Sequence, residues 1–155
     1  MIAIDDVRSL RGRAGDEVAV SEWVAITQAR IDAFAEVTGD RQWIHVDPER
    51  AGAEAALRTT IAHGFLTLSL LSALIGEAID FRGLRHTINY GLNRVRFVAP
   101  VPSGSRVRGR FTVGSVDEAP DSVQVTWRVT IEREHGDRPC CIAEWIVRYY
   151  PDSAA

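Results

Sequence analysis

The chain of 155 residues contains no lysine; all 18 of its basic residues are arginine. That excludes Schiff-base chemistry on a lysine amine and a lysine-bearing phosphate loop. Cysteine is scarce, and its two copies, Cys140 and Cys141, are adjacent. Neighbours along a strand point to opposite faces, so the pair is poorly placed for a mutual disulfide or a shared metal. This usage fits a reduced, intracellular and cytoplasmic protein. No apolar run is long enough to span a bilayer. The stretch from Met1 to Leu10 carries Asp5 and Asp6 and has no apolar core, so it does not read as a signal peptide. No charge excess stands out either. The 18 basic and 21 acidic residues leave a net charge of -3, too negative for wholesale binding to nucleic-acid phosphates. Three motifs are also missing: Gly-x-Ser-x-Gly, His-Glu-x-x-His and a strand-following Gly-x-Gly-x-x-Gly. A serine elbow, a zincin site and a dinucleotide loop are thereby excluded. The histidines at 45, 63, 86 and 135 show no metal-ligand spacing. No metal, nucleotide or flavin cofactor is expected.

What is present is ordinary globular composition, 46% hydrophobic and 25% charged, in a length suited to one domain over residues 1–155. Glu17 to Ile26 alternates weakly and reads as a strand. Thr27 is a plausible N-cap for a helix over Gln28 to Thr38, with apolar Ile31, Phe34, Ala35 and Val37, and Gly39 stands where helices end. A loop over Asp40 to Val46 follows. Asp47-Pro48-Glu49 opens a second short helix that runs on through Leu57. Phe65 to Ile79 is apolar nearly all round, too short to cross a membrane, and reads as a buried helix. The second half changes period. Ile88 to Val98, Ser105 to Val116, Ser122 to Glu132 and Cys141 to Tyr149 lean towards alternation and are separated by Pro- and Gly-bearing turns. The pattern predicts an α+β fold, a strongly curved antiparallel sheet wrapped round one long hydrophobic helix. A strand left at the sheet edge would suit pairing with a second copy, hence a homodimer.

The constellation that could carry chemistry is Thr38-Gly39-Asp40-Arg41-Gln42-Trp43-Ile44-His45. Asp40 and His45 flank a short loop between two helices. A carboxylate and an imidazole converging there could hold a water and move its proton near neutral pH. The alternative is that Asp40 caps a turn and His45 is a satisfied core histidine. The second feature is Ala62-His63-Gly64, just before the buried helix. Gly64 allows close approach to its backbone, and its N–H, without an intrahelical partner, could stabilise an oxyanion. The alternative there is that Gly64 relieves crowding and His63 caps the helix. Taken together, a carboxylate–histidine pair and an oxyanion donor imply adding or removing water next to a carbonyl.

At these residues the chain resembles the MaoC-like (R)-specific enoyl-CoA hydratases, including a subgroup like nodulation protein N. Their signature, a small residue followed by Gly-Asp-x-Asn-Pro-aliphatic-His and then Asp-x-x-x-Ala, stands here as Thr38 to His45 with Asp47 and Ala51. Ala62-His63-Gly64 matches their Ala-His-Gly. Asn93 to Val101 resembles their strand leading into a Pro-Val turn. The resemblance covers about Trp23 to Tyr150. One departure is that Gln42-Trp43 replaces Asn-Pro, which puts the substrate in question more than Asp40 or His45.

The resemblance implies the hotdog fold, an enoyl-CoA hydratase or 3-hydroxyacyl dehydratase activity, and CoA as part of the substrate with no separate cofactor. Asp40 and His45 would activate water against a trans-2-enoyl thioester, giving an (R)-3-hydroxyacyl-CoA. Gly64, with His63 and Gln42, would receive the thioester, and Phe65 and Leu68 would touch the acyl chain. Arg94 and Arg96, sharing a strand face, would meet the CoA phosphates. Two other activities fit the same fold: an acyl-CoA thioesterase and a non-catalytic acyl-binding module.

Overall fold

The computed structural model describes residues 1–152. In chain order its elements are β1 (Ile2–Ile4), a 3-10 helix (Val7–Arg13), β2 (Glu17–Val20) and β3 (Val24–Ala25). Then come α1 (Gln28–Thr38), α2 (Trp43–Val46), α3 (Pro48–Glu54), α4 (Gly64–Ser69) and α5 (Leu71–Ala78). The rest is strand: β4 (Ile79–Phe81), β5 (Leu84–Phe97), β6 (Arg106–Glu118), β7 (Val123–Arg133) and β8 (Cys141–Pro151). The main sheet runs β2-β6-β7-β8-β5, with β3 also on β6, and its pairings are all antiparallel. β1 and β4 form a separate parallel pair.

Alternation makes the sheet two-sided. On β7, Val123, Val125, Trp127, Val129 and Ile131 are buried, and on β8 so are Cys141, Ala143, Trp145, Val147 and Tyr149. These faces close on Leu66, Leu71, Leu74 and Ile75 of α4 and α5, so the sheet wraps a central helix in the hotdog arrangement. Trp127 and Tyr149 are both fully enclosed. They meet their polar needs by bonding each other, the indole N–H donating to the tyrosine oxygen at 2.9 Å.

Several elements differ from the sequence pattern. The central helix is not one run from Phe65 to Ile79; it is interrupted at Leu70. The Thr67 and Ser69 hydroxyls donate back to the carbonyls of His63 and Leu66, and the Leu70 N–H turns to the near carbonyls of Thr67 and Leu68. Such back-bonding bends helices. Ile79 leaves the helix because it pairs with Ile2. The wrapping is also less complete than expected: Phe65, Ser69, Ser72, Ala73 and Gly76 form an exposed stripe. The stretch predicted as a loop over Asp40 to Val46 contains the short α2. α3 stops at Glu54 instead of Leu57, its last carbonyls taken by the guanidinium of Arg58, which holds a positive φ of 54°. The predicted strand from Glu17 to Ile26 is two short strands, β2 and β3. Among the described residues no helix is long and apolar enough to cross a membrane.

Candidate active site

The site is assembled where the end of α1, the short α2 and the start of α4 meet. Thr27 caps α1 by accepting from the Arg30 N–H. Gly39 ends it in the left-handed region, φ 77°, a conformation glycine adopts without steric cost. The reversal at Gly39 delivers Asp40 to the surface and α2 back against α1.

Backbone carbonyls then set the two imidazoles. His45 Nδ1 lies 2.6 Å from the Ile61 carbonyl, and the Ile61 N–H donates to the Ile44 carbonyl at 3.0 Å. A carbonyl can only accept, so the His45 proton sits on Nδ1 and Nε2 is the basic nitrogen. His63 Nε2 lies 2.9 Å from the Asp40 carbonyl, which by the same reasoning receives its proton. The two rings stack with centroids 3.8 Å apart and planes 27° apart, and Phe34 flanks His63 at 5.0 Å. Both histidines are buried. Burial pushes the His45 pKa below the ordinary value. The Ile61 carbonyl opposes this, the facing His63 adds to it, and the Asp40 carboxylate pulls the other way.

One side-chain ligand atom from each of Asp40, His45 and His63 lies within 4.8 Å of the others. The resemblance placed His45 and His63 in one site, but nothing in their spacing showed that the fold would bring the two rings face to face. Such a trio has metal-ligand composition. Stacked rings, however, send their in-plane lone pairs side by side instead of to one point, which suits an acid–base cluster better than an ion cradle.

Two polar residues to which the sequence reading gave no part in the site hold this arrangement. Gln28 Nε2 donates to the His45 carbonyl at 2.8 Å, and the buried Thr60 donates its hydroxyl to Gln28 Oε1. These partners lie 17 and 32 residues from Gln28, beyond any local motif.

Gly64 is the first residue of α4, and its N–H lies among the amides that a helix start leaves without an intrahelical partner. The Phe97 ring lies over it: a Cβ built on Gly64 would stand 2.9 Å from Cδ2 of that ring. Phe65 packs edge-on against Phe97, centroids 5.9 Å apart, and is 69% exposed. Leu68 lines a cavity of about 290 Å³ with Leu71, Ser72, Asn89, Leu92 and Trp145, between the central helix and β5. Phe65 is outside that lining. Gln42 is exposed and begins α2 without a side-chain cap. Trp43 is half-buried beneath the Arg50 guanidinium, 4.4 Å from its ring, so its bulk supports α3.

Arg94 and Arg96 do share a strand face. They pair in register with Glu144 and Ile142, on the side of the sheet turned away from the helix. There they line a groove of about 530 Å³ with Arg128, Thr112 and Thr130. Phe97, which touches Gly64, alternates to the opposite face. The fold thus gathers Asp40, His45, His63 and Gly64 at one end of the central helix and leaves these arginines across the sheet.

The MaoC-like domain family model matches residues 10–134. The chain is 51% identical over 150 residues to 3-hydroxyacyl-thioester dehydratase Z of Mycobacterium tuberculosis, covering 96% of this chain and 99% of that protein. It is 48% identical over 147 residues to nodulation protein N of Rhizobium leguminosarum, covering 94% and 89%. The solved R-hydratase PhaJ1 from Pseudomonas aeruginosa superposes with a TM-score of 0.67 at 26% identity, over 90% of this chain and 83% of that one.

Proposed function

The chain belongs to the MaoC-like dehydratase family and is a hydro-lyase, and on that premise we propose that it adds water reversibly to a trans-2-enoyl-CoA to give the (R)-3-hydroxyacyl-CoA. The observation that carries this reading is the convergence of Asp40 and His45, one ligand atom of each lying within 4.8 Å of the other, together with His45 Nε2 being left as the base. In the hydration direction these two groups hold one water. Its oxygen bonds to the β-carbon, its proton passes to the pair, and a proton from the pair reaches the α-carbon. Because one site serves both ends, oxygen and hydrogen arrive on the same face. The Gly64 N–H meets the thioester oxygen as negative charge develops there. Dehydration is the same path reversed, consistent with the name of the mycobacterial relative.

The acyl chain leads from Gly64 past Leu68 into the cavity beside β5, with Phe65 and Phe97 at its mouth. Neither a metal nor a bound cofactor enters this scheme, and CoA is carried by the substrate.

A homodimer completes the reading. β5 is a 14-residue edge strand exposing Ile88, Tyr90, Leu92 and Phe97, alongside the open stripe of the central helix. A second copy laid there would cover both. The deciding assay is loss of the conjugated enoyl absorbance of crotonyl-CoA, with chiral analysis of the product. (R)-3-hydroxybutyryl-CoA supports the proposal. Free thiol, meaning thioester hydrolysis, or no reaction across a series of enoyl-CoA lengths would overturn it.

A further inference from the structure

Beneath the pair that holds the water lies a third polar ring with no role in the scheme so far. His63 is 2% exposed, it is enclosed between Phe34 and His45, and its Nδ1 is buried without any hydrogen-bond partner. A buried polar atom left unbonded is costly, and an apolar side chain of similar size would avoid that cost. What only an imidazole supplies here is a donor aimed at the Asp40 carbonyl together with a flat ring stacked on His45.

We propose that His63 is a positioning residue: its Nε2–H ties down the backbone of Asp40, and its ring, stacked on His45, holds that imidazole in place beside the carboxylate. This deepens, and rests on, the reading of Asp40 and His45 as the water-holding pair. Asp40 is exposed, and its own backbone N–H makes only a 3.4 Å contact with the Thr38 hydroxyl. The His63 bond is therefore what anchors this segment to the helix start. The stack works by a different route. Charge on His63 disfavours charge on His45, a coupling that adds to the larger effect of burial. The titratable groups facing His45 are His63 and Asp40. On α1, Asp32 reaches the Gln28 amide that holds the His45 carbonyl. On α3, Arg50 is turned onto Trp43 and Glu54.

Two substitutions separate these roles. His63→Phe keeps a flat ring on His45 but removes the donor. His63→Gln keeps a donor near Nε2 but removes the ring. With crotonyl-CoA as probe, His63→Phe is expected to lower kcat on the order of 10- to 100-fold with KM nearly unchanged, the scale of a small misplacement of a catalytic group. His63→Gln should recover kcat to within about tenfold of wild type. In both variants the acidic limb of the kcat/KM profile should move to higher pH, because no imidazole then opposes protonation of His45. A residue that merely fills space would leave that limb in place. An unchanged rate in His63→Phe, equal losses in the two variants, or an unmoved limb would each overturn the proposal. The imidazole ¹⁵N titration of His45 in the substrate-free protein gives a second reading. It should shift upward in both variants, and no shift overturns the coupling. If wild type fails to hydrate any enoyl-CoA, the hydratase reading fails, while this titration still decides whether the two rings are coupled.

Discussion

Gly64→Ala adds one methyl group at the start of the central helix. The new carbon would stand 2.9 Å from Phe97 Cδ2 and 3.0 Å from Cε2 and Cγ, well inside the ordinary carbon contact of about 3.5–4.0 Å. The Phe97 ring must give way. It is 47% exposed at the end of an edge strand, so it can swing towards solvent. That motion costs about 0.5–1.5 kcal/mol if the ring leaves its rotamer. Alanine's better helix propensity returns up to about 1 kcal/mol. The net change in stability is therefore within about 1 kcal/mol, and the melting temperature should move by no more than about 4 °C for a chain of this length. Activity should respond far more. The methyl stands beside the amide we propose for the thioester oxygen, and loss of one such donor costs on the order of 10²-fold or more in rate. The assay pairs thermal melts with kcat/KM on crotonyl-CoA for Gly64→Ala, Phe97→Ala and the double variant. Truncating Phe97 removes the clash but not the methyl, so the double variant should melt normally and stay slow. Wild-type activity in Gly64→Ala would refute the assignment of the amide. Full rescue by Phe97→Ala would show that the loss was steric displacement of the ring.

Three further outcomes follow from the same structure. His45 is held below its ordinary pKa, so the folded state prefers the neutral ring; its contribution to stability is complete above about pH 6.5 and is lost as pH falls through the depressed folded value. The melting temperature should therefore drop between pH 7 and 5, and His45→Gln should flatten that slope; an identical slope contradicts the assigned burial. Burial pushes the Cys141 thiol up to about 11 and the Cys140 thiol in the same direction. Neither should react with a disulfide reagent at neutral pH until denaturant is added, and rapid labelling of the native protein would count against the core described. Ile88→Arg on the exposed face of β5 should convert a dimer seen by sedimentation velocity into a monomer. A wild-type protein already monomeric at micromolar concentration would remove the proposed interface.

Much of this fold could be read from periodicity, because β7 and β8 alternate cleanly and the central helix is apolar on most sides. Local chemistry also marked the caps at Thr27, Gly39 and Asp47, since each acts within a few residues of itself. What could not be read depends on distant partners. Ile79 leaves the helix because of Ile2, and α3 ends early because Arg58 folds back over it. The site divides the same way. Asp40, His45 and Gly64 stood out through their spacing and their place between elements. The stack of His63 on His45 and the clamp from Gln28 to Thr60 did not, because topology alone makes them neighbours. The arginine pair was legible as a shared face, but which side of the sheet that face occupies depended on the register of β5 against β8.

The central claim is that Asp40 and His45 grip the same water, and a double-mutant cycle reads that sharing directly. Asp40→Asn and His45→Gln should each lower crotonyl-CoA hydration on the order of 10²-fold or more. Groups acting as one unit lose their joint contribution once either is gone, so the double variant should be scarcely slower than the worse single variant. Losses that multiply would mean that the two side chains act independently, and the shared water would have to be abandoned.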